Sequence, residues 1–499
     1  MVKFKKSKGL FIDLSVFSLS SQTKHQICMQ TILDQINDVL WTYVLIISLV
    51  GCALYFTFKS GFVQFRMIGE MVRLLGDAVP KSGNQRMKHI SSFQAFMVSL
   101  AARIGTGNMA GVATAITVGG PGAVFWMWLI ALLGSATGFI ESTLAQLYKR
   151  KAKDAFIGGP AYYMQYGLDR RWMGVLFAIL ISITFGFAYN SVQSNTICAA
   201  WDKAFGIDVT YMGIILTVLT LLIIFGGIHR IAKVSSAIVP FMAIAYFLIA
   251  IGIVVFNLHR IPDVMAAIFR SAFGWEQALG GGFGAAVVQG IKRGLFSNEA
   301  GEGSTPNAAA TAHVTHPVKQ GLIQALGVFT DTLVVCSCTA FIILVSGVSI
   351  DSGETGIQLT QSAITSQIGP IGNVIVAITI LLFAFSSIIG NYYYGEANIR
   401  FITKKPMVLH LYRLMVGGMV LLGSLMTLDL AWSFADVTMA CLTLCNLIAI
   451  LQLSKQALRL LEDYRKQKRQ GIKDPTFSKA SMPDIADRLE CWEHGTSCY

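Results

Sequence analysis

Two short stretches of this sequence share a spacing that points to chemistry at the backbone. Arg103-Ile-Gly-Thr-Gly-Asn108-Met-Ala-Gly111 and Arg293-Gly-Leu-Phe-Ser-Asn298-Glu-Ala-Gly301 both read R-x4-N-x-A-G. Each interrupts an apolar run with glycine and charge. A helix broken inside an apolar layer leaves N–H and C=O groups without helical partners, and these need a ligand or a wet cavity. The half-helix N-terminus offers N–H groups to an anion such as a carboxylate; the opposite half-helix offers carbonyls to a cation. Gly105 and Gly107 permit such a break and a close approach to the backbone, with Thr106 and Asn108 adding a hydroxyl and an amide. Tight helix packing is the other use of such glycines, and the mirrored copy argues against it. Ser386 and Ser387 place two hydroxyls on one helix, donors that suit a sodium ion or simply two small residues at a helix contact.

Charged side chains flank the two stretches: Arg103, Lys292, Arg293, Glu299 and Glu302. Charges within apolar runs are functional candidates. Opposite signs a helical turn apart can neutralise one another, so gating or structural ion pairs are expected. Glu141, Asp331, Glu396 and Asp436 are further candidates for a proton site or a hydrogen-bonded structural role. Support for catalysis is thin. The histidines have no HExxH spacing, Gly301-Glu-Gly-Ser304 lacks the strand–turn–helix setting of a nucleophile elbow, and no P-loop occurs.

The elements that must position these groups follow from composition. Of 499 residues 54% are hydrophobic and only 13% charged, against about 25% charged in soluble domains. The chain therefore reads as an all-α polytopic membrane protein. Nine cysteines, an odd number without CxxC spacing, give no disulfide framework and no zinc site. Eleven runs approach the ~20 apolar residues a spanning helix needs: 40–58, 92–118, 121–148, 173–198, 210–228, 234–256, 279–311, 319–346, 369–397, 408–426 and 430–453. The second and seventh are the two interrupted runs.

Lys and Arg collect in alternate loops, at 59–90, 149–171, 230–233, 319 and 400–405, and in the tail after Lys455. The positive-inside rule then places the C-terminus in the cytoplasm and the N-terminus outside. The net charge of +12 is thus a topology signal, and no nucleic-acid partner is expected. The lysines of residues 1–28, around the short apolar run Leu10 to Leu19, run against this orientation. The organisation is an extension over 1–39, an extra helix over 40–58, five-helix sets over 92–256 and 279–453, and a basic cytoplasmic tail over 454–499. The tail reads as a helix at the anionic leaflet or a solvated anchor. Five spans per set make the second set inverted, the architecture of secondary transporters.

Longer motifs carry a resemblance. GTGNMAGVATAI (105–116), GGPGAVFWMW (119–128), ESTLAQLYK (141–149), GGPAYYM (158–164), RGLFSNEAGEGS (293–304) and KQGLIQALGVFTDT (319–332) resemble the alanine or glycine:cation symporter family over roughly residues 35 to 455. The resemblance implies a LeuT-type five-plus-five inverted repeat preceded by one extra helix, and sodium-driven uptake of alanine or glycine. It implies that Thr106 and Gly107, beside Gly105 and Asn108, meet the amino-acid carboxylate. Gln193 is implied as a polar contact, and Phe296, in the second break, as an aromatic wall. The implied sodium ligands are Ser386, Ser387 and the carbonyls of Ala101, Ile104 and Phe383. Asn391 stands where many members have tryptophan, which enlarges the pocket or makes it more polar. No cofactor beyond the coupling ion is implied. A proton-coupled carrier on the same fold is the alternative; a channel fits poorly, because a pore wants a continuous lining.

Overall fold

The computed structural model describes residues 21–77, 90–152, 156–274, 282–350 and 353–493. The apolar run Leu10 to Leu19 lies outside the described residues. The architecture is almost entirely helical. The one sheet among the described residues is a two-residue hairpin, Arg150–Lys151 against Phe156–Ile157, outside the helical spans.

Among the described residues, eight helices are long and apolar enough to cross a membrane. They are α1 (Met29–Lys59), α4 (Gly122–Leu147), α5 (Arg171–Phe205), α7 (Ala237–Phe256), α10 (Pro317–Ser346), α11 (Ile371–Ile402), α12 (Pro406–Leu425) and α13 (Leu428–Arg469). A shorter apolar helix, α6 (Val209–Ile224), falls on the expected fifth span. The two interrupted runs become two broken helices. The first is α2 (Ser92–Arg103), then a π-helical turn Gly107–Gly111 that continues into α3 (Val112–Gly119). The second is α8 (Gly282–Asn298) followed by the short α9 (Thr305–Ala309).

Burial separates the central helices from the peripheral ones. From Gly134 to Leu147 every residue of α4 is buried, including Ser135, Thr137, Glu141, Ser142, Thr143 and Gln146. In contrast, α7 turns Phe241, Ile244, Leu248, Ile251 and Val255 outward. Lipid gives no hydrophobic penalty for those side chains, so small residues and polar contacts must hold the interior helices together. Glycines supply the close approaches: a Cβ on Gly390 of α11 would lie 3.1 Å from the Ala102 backbone nitrogen of α2. On α1 the buried positions Trp41, Leu45, Leu49, Cys52 and Phe56 recur every three or four residues, the stripe of a helix packed on one side. Polar bonds fix α1 to α13: Trp41 Nε1 donates to the Asp436 carbonyl (3.2 Å) and the Asn37 amide to that of Ser433 (3.1 Å).

Three expectations need correction. The second break falls at 299–304, one turn later than expected. Leu295, Phe296 and Ser297 offer the helix no breaker, whereas Glu299, Gly301 and Gly303 all adopt positive φ. Phe296 therefore sits in the last turn of α8 and not in the break. The tail is neither a free solvated anchor nor a surface helix throughout. Helix α13 continues to Arg469, and the chain then folds back to bury Phe477, Met482, Ile485, Leu489 and Trp492 against the helical body. Finally, Cys491 is disulfide-bonded, while Cys52, Cys198, Cys336, Cys338, Cys441 and Cys445 are free.

Candidate functional site

At the first break the backbone leaves helical geometry at Ile104, which is extended (φ −75°, ψ 95°). The carbonyls at the end of α2 lose their intrahelical donors there. Helix α11 answers with its serine pair. Ser387 Oγ lies 3.0 Å from the Ala101 carbonyl oxygen, 3.1 Å from that of Ile104 and 3.1 Å from that of Phe383. Ser386 Oγ lies 2.8 Å from the Phe383 oxygen and 3.5 Å from that of Ala101. Five neutral oxygens thus converge from two helices almost 300 residues apart in sequence. A hard cation of sodium's size takes oxygens at roughly 2.3–2.6 Å, and neighbours about 3 Å apart can share one.

The N–H side of the same break is also organised by side-chain amides. Asn108 Oδ1 accepts the Gly105 N–H (2.9 Å), and Gln193 Oε1, from α5, accepts the Thr106 N–H (3.0 Å). Gly105 is packed between the two sites. A Cβ there would clash with Ser387 Oγ and lie 2.9 Å from Gln193 Oε1. Gly107 meets the second broken helix: its Cβ would be 3.1 Å from both Phe296 Cδ1 and Ser297 Cα. Thr106 Oγ1 is buried without a hydrogen-bond partner among the described residues. A buried hydroxyl left this way costs about 1–3 kcal/mol, so the position has room for a further hydrogen-bond partner.

The aromatic wall is a cluster of three rings. The Phe296 ring lies 4.5 Å from that of Tyr189 and 4.6 Å, edge on, from that of Trp432. Asn391 lies one helical turn beyond Ser387, fully buried, and its amide donates to Asn190 Oδ1 (3.1 Å). Its own Oδ1 has no partner among the described residues. Asn190 lies about one turn from Gln193 on α5, so the two amides share a face. All twelve residues singled out in the sequence thus gather around the two faces of one helix break.

The charged residues pair differently from expectation. Lys292 and Arg293 do not pair with Glu299 and Glu302, which lie within the break and bond to Ser304 and Tyr189. The two cations bond instead to Asp436 of α13, at 3.0 and 2.8 Å, and the Arg293 guanidinium lies 4.0 Å from the centre of the Trp432 ring. Arg103 donates to Thr305 Oγ1 (2.8 Å) and the Gln324 carbonyl (3.3 Å). The shared R-x4-N-x-A-G register is not a structural equivalence either. The first break precedes Asn108, whereas the second follows Asn298.

Sequence reasoning did not reach Asn190, Ser297, Tyr189 or Trp432 as members of the site. Asp331 was visible only as an intramembrane charge. Its carboxylate accepts from Asn108 Nδ2 (2.6 Å), Ser297 Oγ (2.7 Å) and Thr332 Oγ1 (3.0 Å), which locks the two broken helices to α10.

A model of the sodium:alanine symporter family matches residues 26–479. The chain belongs to that family. It is a multi-pass membrane transporter and not an enzyme. Among curated relatives in Bacillus subtilis (strain 168), the probable sodium/glutamine symporter GlnT is 50% identical over 93% of this chain and 97% of its own. The amino-acid carrier protein AlsT of the same organism is 50% identical over 92% of this chain and 96% of its own. Among solved structures, MhsT in complex with L-phenylalanine aligns with a TM-score of 0.55 at 15% identity, covering 73% of this chain and 89% of that one. That likeness is one of fold, and the sodium:alanine symporter family chain accordingly has the LeuT-type architecture.

Proposed function

We propose that this chain is a sodium-coupled symporter of alanine and glycine that works by alternating access. The observation that carries the reading is the convergence of the Ala101, Ile104 and Phe383 carbonyls with the Ser386 and Ser387 hydroxyls at the first break. In this reading those five oxygens hold sodium. The substrate carboxylate takes the N–H side of the break at Thr106 and Gly107, next to Gly105 and Asn108, with Thr106 Oγ1 as a further donor. Gln193 gives up the Thr106 N–H to the carboxylate and turns to the substrate. Phe296 bounds the side-chain space, and Asn391 sets its polarity.

The nine unbroken helices and two broken ones make eleven crossings of the cytoplasmic membrane, with the N-terminus outside and the C-terminus inside. The five-helix sets begin at the two broken helices, and the preceding helix is the extra one. A cavity of about 350 Å³ between Asn195, Thr196, Gln358 and Met426 lies just over one turn beyond Asn190 and Ser191 on α5. In this orientation it is the outer vestibule.

A second reading of the substrate has its own observation. The Asn391–Asn190 pair puts two amides beside the wall, one with an unpartnered oxygen, which suits a polar side chain. Glutamine, named for the relative GlnT, belongs to that class. Binding to the folded state stabilises it by about 2.7 kcal/mol at a hundredfold excess over Kd. Thermal unfolding of the purified protein with alanine, glycine, serine and glutamine, each in sodium and in potassium, therefore separates the readings. Stabilisation by alanine in sodium alone supports the first. Stabilisation by glutamine but not alanine favours the second, and no sodium-dependent shift with any of the four contradicts both.

A further inference from the structure

The second break holds more negative charge than its surroundings neutralise. Glu141 of α4 accepts the N–H groups of Gly301 (3.2 Å) and Gly303 (3.1 Å) and the Asn446 amide (2.8 Å). Its oxygens thereby replace the carbonyls that a continuous helix would supply. Glu299 accepts from Ser304 Oγ (2.6 Å). Glu302 accepts from the Tyr189 hydroxyl (2.9 Å) through Oε1 alone. Its Oε2 is buried and finds no hydrogen-bond partner among the described residues. All three carboxyl groups are out of contact with solvent.

The groups that face this cluster are few. From α2 comes Arg103, whose bonds go to Thr305 and the Gln324 carbonyl rather than to a carboxylate. Among the described residues near the cluster, Arg103 is the cation with no carboxylate of its own, because Lys292 and Arg293 are held by Asp436, and Arg400 and Arg413 by Glu396. From α10 comes Asp331, from α13 Asp436 and from α11 Tyr394, all without positive charge. Tyr163 adds a hydroxyl bonded to Asn446. Three buried carboxylates against one guanidinium leave two uncompensated negative charges. A buried carboxylate in that position is neutralised rather than kept as an anion. A proton neutralises Glu302 at its unpartnered oxygen without needing any further ligand there.

We propose that Glu302 is a proton-binding site, with the proton on its unpartnered Oε2. The ring of its partner Tyr189 lies tilted against that of Phe296, 4.5 Å between centres, so the proton sits one side chain away from the substrate wall. Releasing it places an anion against Glu299 within the segment that separates α8 from α9, and so biases the break. This deepens the transport reading, and it rests on that reading only for its consequence in coupling.

The test needs no substrate. Infrared difference spectra of the full-length protein in lipid nanodiscs, recorded between about pH 5 and about pH 9, follow the C=O stretch of protonated carboxyl groups. The wild type should show a titrating carboxylic-acid band, Glu302→Gln should lose the Glu302 component of it, and Asp331→Asn should retain that component. Where Glu302→Gln does not fold, Glu302→Asp keeps the acid and should move the frequency and midpoint of the band. A wild type without a titrating band, a band unchanged in Glu302→Gln, or one unmoved in Glu302→Asp overturns the proposal. Each of these outcomes is independent of whether alanine is carried.

Discussion

At the scale of single residues the account depends on which atoms each side chain brings within 3 Å of the break. Ser387 approaches three carbonyl oxygens and Ser386 two. Removing one charge-assisted contact costs about 1.5–3 kcal/mol, roughly tenfold to a hundredfold in affinity. Ser387→Ala should raise the sodium concentration needed for half-maximal uptake by such a factor while protein yield holds; an unchanged sodium dependence in the double alanine variant removes the assignment. Asn391→Trp should fill the polar corner beside Asn190 and narrow acceptance toward glycine and alanine. A competition panel reads this, and an unaltered profile would mean that residue 391 does not face the substrate. The serine pair and the Gly-Thr-Gly break were legible in the sequence because hydroxyls and glycines are conspicuous in apolar runs. The Asn391–Asn190 bond was not, since its members lie 201 residues apart and each alone reads as an ordinary buried amide.

At the scale of elements, two helix breaks make the site, and they are built differently. The first is short and is capped by side-chain amides from Asn108 and Gln193. The second is a six-residue segment cradled by Glu141. Its glycines are required by conformation and by space. Gly303 has φ +81°, and a Cβ there would lie 2.8 Å from Pro160 Cγ and 2.9 Å from Phe177 Cζ. A strained left-handed residue costs about 1–3 kcal/mol before the clash is counted, so Gly303→Ala should lower the unfolding temperature and the yield of folded protein. A variant as stable as wild type would show that the break tolerates other geometries. Hydrophobic run length found the apolar part of the long helices, although α1 already begins at Met29 and α13 runs on to Arg469. It misplaced the second break because the shared four-residue pattern fixes sequence register, not where the helix ends. The Gly301-Glu-Gly303 pair was the better signal.

At the scale of the whole molecule, the C-terminal segment closes one end of the helical body. Trp492 is fully buried, with Nε1 3.3 Å from both the Gln146 and Leu147 carbonyl oxygens, and the Lys149 ammonium lies 4.3 Å from its ring centre. The Phe477 N–H donates to the Thr315 carbonyl (2.9 Å), and His316 bonds to Asp463 (3.1 Å). Composition hid this docking, because the basic run through Arg469 dominates the tail while its anchors are five scattered apolar residues. Truncating a buried tryptophan costs about 3–5 kcal/mol, so Trp492→Ala should expose the chain after Arg469 to limited proteolysis. Burial pushes the His316 imidazole below its usual value, against the opposing pull of Asp463. The folded state then binds fewer protons than the unfolded one, so this contribution is present above the unfolded value of about 6.5 and is lost as pH falls below it. Proteolysis after Arg469 should accordingly quicken on acidification in wild type and less so in His316→Gln. The central claim concerns coupling between two gradients across one membrane. Its most direct measurement is uptake of radiolabelled alanine into proteoliposomes holding the purified chain, with an inward sodium gradient and with potassium in its place. The account predicts concentrative uptake with the sodium gradient that collapses when the gradient is dissipated. Equal uptake in sodium and in potassium would contradict it.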